Sequence, residues 1–252
     1  MDWNQKYGEI VKGLGLDAEA DLEAAEILDG LLVGSHPDFS RLDGLRGKKI
    51  LVYGAGPSLR EDIGEIMKQG LHRNKDFVFI AADGAAKALL KEDILPDIHV
   101  TDLDSDPEVI LEVNRRGALT IVHAHGDNIS SLKKVVPELR DCLGTTQTKP
   151  FGNLRNFGGF TDGDRCVFLA EYFKPSVIVL AGMDFGQLIG EYSGRYEKEF
   201  KLRKLSIGKQ LLEELAEESP VEILNLTSGG MDILNIPRVS AQELKAFSSP
   251  RP

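Results

Sequence analysis

Short apolar runs that each stop at a glycine, an aspartate or a histidine set the narrowest limits on what this chain can fold into. Ile50-Leu51-Val52-Tyr53 ends at Gly54, and Phe77-Val78-Phe79-Ile80-Ala81-Ala82 ends at Asp83. Ile98 to Thr101 ends at Asp102, Leu119 to Val122 at His123, and Val177 to Ala181 at Gly182-Met183-Asp184. Runs this apolar suit parallel strands covered on both faces. The stretches between them carry helix formers and helix caps, so strand and helix alternate. The predicted fold is α/β: a Rossmann-like, mostly parallel sheet with helices on both faces, closed by a last strand near residues 221–226. Ligands of such sheets bind outside the carboxyl ends of the strands, and here five successive ends are polar. A site is expected there.

Residues 1–46 read as a separate helical N-terminal segment, and residues 47–252 as the α/β catalytic domain. Leu22, Ala25, Leu28, Leu31 and Leu32 recur at helical spacing and give an apolar face. That face is either a cap on the main domain or a surface for a homo-oligomer. Residues 34–47, with Pro37 and Gly44, read as a linker. Residues 187–197, with Gly190, Tyr192, Gly194 and Tyr196, form a loop of the lid kind, and residues 198–218 an amphipathic helix. Residues 248–252 are expected to fray.

The chain has 252 residues and a net charge of −10. With no basic stripe to offset that charge, a nucleic-acid partner is not expected. Cys142 and Cys166 sit in no metal or redox spacing. No apolar run is long enough for a membrane span, and the N-terminus lacks a signal-peptide pattern, so the expected location is the cytoplasm.

The third strand end carries the sharpest signal. Asp102, Asp104 and Asp106 alternate, and alternate residues of an extended chain share a face. Carboxylates so close repel one another unless a cation lies between them. Oxygen ligands beside substrate phosphates suit Mg²⁺. The plainer reading is an acidic turn in which Ser105 or Asp106 caps the next helix. After the first strand, Gly54-Ala55-Gly56-Pro57-Ser58-Leu59 is a strand–turn–helix junction of the kind that holds phosphates, although it lacks the third glycine of the dinucleotide fingerprint. His123 and His125 lack the further ligand of a zinc site. They fit phosphate or base contacts better, with Asp127 or Asn128 capping the helix beyond them. Thr161 caps a helix whose first turn holds Asp162 and Asp164, and Arg165 beside them suits a phosphate oxygen.

Taken in order, several segments resemble the archaeal 6-hydroxymethyl-7,8-dihydropterin pyrophosphokinases over about residues 49–226. They are Gly54 to Leu59, Ala82 to Ala85, Pro96 to Asp104, His123 to Asn128, Gly158 to Arg165 and Ala181 to Gly186. Asp102 to Asp104 with Thr161-Asp162 is also similar to thiamine pyrophosphokinases, but His123 to Asn128 and Gly158-Gly159 depart from that pattern. The Gly56-Pro57-Ser58-Leu59 turn resembles one in flagellin-modifying glycosyltransferases. The first resemblance implies magnesium-dependent transfer of pyrophosphate from ATP to the pterin hydroxymethyl, releasing AMP. It implies Asp102, Asp104 and Asp162 on the metal. Phosphates would lie against Gly54, Gly56, Pro57, Ser58, His123, His125, Asn128, Thr161 and Arg165. Asp83 or Asp184 would meet the pterin's amino-pyrimidine edge, and Asp127 would take the hydroxymethyl proton. The rival readings are a thiamine pyrophosphokinase and a magnesium-nucleotide-binding module without turnover.

Overall fold

The computed structural model describes residues 2–34, 38–193 and 197–248. Helices α1 (Trp3–Leu14) and α2 (Ala18–Leu31) come first, each begun by an aspartate, Asp2 or Asp17, that accepts hydrogen bonds from the first turn. Part of the stretch read as a linker is a 3₁₀ helix, Phe39–Leu45, while residues 35–37, Pro37 among them, lie outside the described residues. Strands β1 (Lys49–Tyr53), β2 (Phe77–Ala82), β3 (Ile98–Thr101) and β4 (Leu119–Ala124) alternate with helices α3 (Leu59–Lys68), α4 (Ala85–Lys91) and α5 (Pro107–Arg115). Helix α6 (Ile129–Val135), β5 (Cys142–Thr146) and β6 (Leu154–Arg155) come next. The chain then runs through α7 (Asp162–Tyr172), β7 (Val177–Ala181), α8 (Lys198–Glu218), β8 (Glu222–Asn225) and α9 (Ala241–Ser248). Residues 249–252, where fraying is expected, are outside the described residues.

The strands form one sheet in the order β6-β5-β4-β3-β2-β1-β7-β8. Every pairing in it is parallel. From β1 the chain winds outward to β6 and then returns to β7 on the other side of β1. The winding therefore reverses between β1 and β7, where open α/β sheets keep a crevice for a ligand. Side-chain alternation divides the core. Ile50, Val52, Ile80, Val100 and Ile121 pack with α7 and α8, whereas Leu51, Tyr53, Phe79, Ala81 and Val179 pack with α3, α4 and α9.

Two strands and one helix face differ from the sequence reading. Strand β5 escapes a search for apolar runs because its residues, Cys142-Leu143-Gly144-Thr145-Thr146, include a glycine and two threonines, and β6 is a two-residue edge. Gly144 has a packing cause: a Cβ there would collide with Leu28, Leu32 and Leu154. Gly144→Val is expected to cost about 1–3 kcal/mol through overpacking, read as a lowered midpoint in urea unfolding. Helix α2 buries Asp21, Ala24, Ala25 and Leu28 against Val122, Ala124 and Cys142. Leu22, expected on that face, is 44% exposed, because the inward stripe runs through positions 21, 24, 25 and 28. An acid occupies the place where a leucine was expected.

Candidate active site

The crevice at the reversal is a cleft of about 790 Å³. The turns after β1 and β7 form one wall, with Gly54 to Pro57 against Gly182 to Phe185. Asp83, Asp102 and Asp104 line it from the ends of β2 and β3, while Thr161, Asp162, Gly163 and Arg165 come from the start of α7. Lys201, Lys204 and Leu205 enter from α8, and Leu188, Ile189, Gly190, Tyr192 and Ser193 from the segment after β7. The described part of the predicted lid thus lines the cleft; residues 194–196, including Gly194 and Tyr196, lie outside the described residues.

The acids converge by a different route from the one alternation suggests. β3 ends at Thr101, and Leu103 then turns with φ +66°, a left-handed conformation that costs a non-glycine residue about 1–2 kcal/mol. Burial of the Leu103 side chain in the core and a hydrogen bond from its N–H to Thr101 Oγ1 (2.9 Å) hold the turn. Asp102 and Asp104 are thereby brought to one side, and Asp106 leaves the group to cap α5 through Glu108 N. The capping reading therefore holds for Asp106, while Asp102 and Asp104 stay together at the strand end.

Asp83 joins them because β2 and β3 pair with Ala82 opposite Val100, which places the next residue of each strand side by side. Its carboxylate accepts hydrogen bonds from Thr101 Oγ1 (2.5 Å) and Ser105 Oγ (2.9 Å). One oxygen each from Asp83, Asp102 and Asp104 lies within 4.8 Å of the others. An all-oxygen set of this kind fits a hard divalent cation. Asp162 lines the same cleft but stands outside this trio among the described residues.

Electrostatics marks the trio as under tension. Burial pushes the Asp83 carboxyl well up, and the charges of Asp102, Asp162 and Asp104 push it further. Asp104 is exposed on one side, yet desolvation within the cleft and then the charge of Asp102 raise it too. Asp162 is pushed up to about 7 by burial and by Asp102, with Arg165 opposing. Asp102 goes the other way. Burial alone would raise it, but the hydrogen bond from His125 and the charges of His125, Lys204 and Arg165 hold it well below the usual carboxylate range. One anion is thus fixed among neighbours that resist ionising beside it.

Several residues assigned to phosphates from the sequence have other work within the fold. The N–H groups of Gly54 and Gly56 donate to the carbonyls of Ala181 and Gly182 (both 2.8 Å). Ser58 donates through N–H (3.1 Å) and Oγ (2.8 Å) to Asp184. These glycines answer to a close approach: a Cβ on Gly56 would strike Asp184 and the Gly182 carbonyl. Pro57 lines the cleft beside them. Asn128 Nδ2 braces the backbone carbonyls of Asp102 and His123 (both 2.7 Å). His125 Nε2 lies 3.2 Å from Asp102 Oδ2. His123 is buried on Thr145 Oγ1 (3.0 Å), and burial, then Arg165, holds its imidazole neutral. Thr161 N–H donates to Asp164 Oδ1 (2.9 Å) in a capping box at the start of α7. Asp127 lies on a neighbouring cleft with Phe160, Phe200 and Lys204.

Cations come instead from α7 and α8. Arg165 reaches Asp162 Oδ1 with Nη1 (3.3 Å) and Gln147 Oε1 with Nη2 (3.0 Å), leaving its buried Nε without a partner among the described residues. Lys201 and Lys204 are hidden in the sequence by the charged amphipathic helix that carries them. The available signal is their i,i+3 spacing, which puts two lysines on one face.

These features define an α/β protein whose candidate site lies at the switch point of a parallel sheet and is lined by both acids and cations. The chain belongs to the family described as 6-hydroxymethylpterin diphosphokinase MptE-like, whose model matches residues 29–190. A 6-hydroxymethyl-7,8-dihydropterin pyrophosphokinase of Methanocaldococcus jannaschii is 42% identical, over 88% of this chain and 98% of that protein. The like-named protein of Methanothermobacter thermautotrophicus is 47% identical over 76% and 81%, and that of Pyrococcus furiosus 41% over 90% and 98%. The chain is accordingly an enzyme of the pyrophosphokinase class. Among solved structures, the MAf glycosyltransferase of Magnetospirillum magneticum aligns with TM-score 0.49 at 17% identity, over 81% of this chain and 36% of that one. None of the described helices is long and apolar enough to cross a membrane.

Proposed function

We propose that the enzyme transfers the terminal pyrophosphoryl group of ATP, with Mg²⁺, to the hydroxymethyl oxygen of 6-hydroxymethyl-7,8-dihydropterin, giving AMP and the pterin diphosphate. Such a product serves the biosynthesis of a tetrahydrofolate- or methanopterin-type cofactor. The observation that carries this reading is the convergence of Asp83, Asp102 and Asp104 in a cleft that also holds Arg165, Lys201 and Lys204. In the reaction the new bond forms between the pterin oxygen and the β-phosphorus, and the bond from that phosphorus to the α–β bridging oxygen breaks. Negative charge grows on the bridging oxygen, which leaves with AMP, and the hydroxyl proton is released to solvent. Phosphoryl chemistry of this type is accelerated chiefly by positioning and electrostatics.

Asp83, Asp102 and Asp104 would hold the cation, with Asp162 beside them. When bound, magnesium supplies positive charge to the phosphate oxygens and fixes their orientation. Arg165, Lys201 and Lys204 carry the remaining charge, and the apolar side chains of Phe185, Ile189 and Tyr192 offer a surface for a planar ring. The protein's negative charge makes such local cations necessary for a polyphosphate ligand.

The carboxyl shifts give a pH-dependent expectation. Asp83, Asp104 and Asp162 are raised above their unfolded values. Without a cation, the folded state therefore loses stability through them as pH rises above about 4, for Asp162 up to about 7. A bound cation removes that loss. The rise in Tm produced by Mg²⁺ is expected to be larger at pH 8 than at pH 5.5, as read by differential scanning fluorimetry. An equal or larger rise at pH 5.5 would contradict it. Using the cation-dependent difference also cancels the buried neutral His99 and His123, whose lowered values destabilise the fold on acidification whether or not the ion is present.

The test of the function is incubation with ATP, Mg²⁺ and the hydroxymethyl dihydropterin, followed by mass spectrometry. AMP and a diphosphorylated pterin are expected in equal amounts. No AMP, or AMP formed only when thiamine replaces the pterin, would overturn the reading.

A further inference from the structure

Asp21 stands on α2, ahead of the residues matched by the family model, and is 5% exposed. An acid in a helix's core-facing stripe needs partners, and Asp21 has three. Oδ1 accepts from Gly126 N (2.7 Å). Oδ2 accepts from Gln147 Nε2 (2.7 Å) and from the Tyr7 hydroxyl. Both loop contacts lead directly to the cleft. Gly126 follows His125, whose Nε2 faces Asp102 (3.2 Å). Gln147 uses its other end, Oε1, to accept from Arg165 Nη2 (3.0 Å). Gly126 also packs so closely on α2 that a Cβ there would strike Ala20.

Resting on the function proposed above, we propose that Asp21 is a positioning residue for pyrophosphoryl transfer, so that the N-terminal helices are part of the active site. Its carboxylate orients the Gln147 amide. With its N–H held by Asp21, the amide can only present its carbonyl to Arg165. The same carboxylate fixes the loop that sets His125 against Asp102. Groups that orient a site's charged side chains in this way are worth roughly 10–100-fold in activity.

The arrangement predicts its own rescue. In Asp21→Asn the new amide places a donor against the Gln147 amide, which must turn round and then presents N–H to Arg165, a donor facing a donor. In the double variant Asp21→Asn with Gln147→Glu, the new amide donates to the new carboxylate, whose second oxygen accepts from Arg165. The chain has one tryptophan, and Trp3 Nε1 donates to the Gln147 backbone carbonyl (3.0 Å), so its emission reports whether the N-terminal helices stay docked.

The experiment measures AMP formation, ATP binding by calorimetry with Mg²⁺ present, and tryptophan emission for the wild type and both variants. Asp21→Asn is expected to lower kcat about 10–100-fold and weaken ATP binding about tenfold, with unchanged emission. The double variant is expected to return both to within about threefold of the wild type, as coupled neighbours do. Three results would overturn the proposal: ATP binding and turnover unchanged in Asp21→Asn, a double variant no better than the single one, or loss accompanied by red-shifted emission, which marks mere undocking. A wild type that binds ATP but forms no AMP would remove the function proposed above, and the ATP affinities of the variants would still decide the role of Asp21.

Discussion

Asp102→Asn is expected to lower AMP formation by about 10³-fold, the upper range for removing one preorganised electrostatic group, while far-ultraviolet circular dichroism stays that of the wild type. The substitution keeps shape. Asn128 holds the backbone carbonyl of residue 102, not its side chain, and an amide oxygen can still accept the N–H of Asp104, 3.3 Å away. What disappears is charge. Asp102 is the anion of the trio that its surroundings keep ionised, through His125, Lys204 and Arg165. Asp83 and Asp104 are both raised, so the surroundings favour the charge of neither as they do that of Asp102. The variant should therefore also lose the stabilisation that Mg²⁺ gives the wild type. Turnover near the wild-type value with unchanged circular dichroism would remove Asp102 from the cation site.

Arg165→Lys is expected to cost about 10²–10³-fold in turnover, comparable to loss of a donor aimed at developing charge. Arginine here makes two separate contacts at fixed angles, to Asp162 and Gln147. An ammonium is a single point of charge and cannot span both. Steady-state kinetics with ATP and the pterin should show kcat falling more than KM rises, since the contact matters most as charge moves to the bridging oxygen. A variant that changes only KM would mean that Arg165 binds the ground state and the transition state alike.

The parts of this architecture that are local in the chain were legible in it. Strands β1 to β4, their polar ends and the acidic start of α7 all arise from runs and caps that a short window can hold. Membership of Asp83 in the trio was less accessible, because it depends on the register between β2 and β3; neighbouring strand ends that both carry aspartate are the signal that could have found it. The left-handed turn at Leu103 has no such signal, since leucine rarely adopts that conformation. Asp21 and Gln147 join the site from segments 126 residues apart. Helical periodicity sorted α2 by its leucines and so placed the buried acid on the outside. The glycines after β1 illustrate the opposite difficulty. Their pattern suggested a phosphate cradle, yet two chain turns packed against each other account for Gly56.

The proposed grip of Asp83, Asp102 and Asp104 on a hard cation would in turn hold the nucleotide's phosphates. Its most direct test is a crystal grown with a non-hydrolysable ATP analogue and Mn²⁺, examined for anomalous scattering. An anomalous peak is expected between those carboxylates at about 2.1–2.2 Å from their oxygens, near the octahedral Mg²⁺ distance, with the phosphates between it and Arg165. A nucleotide bound with its metal elsewhere, and the three carboxylates left without an ion, would contradict the claim.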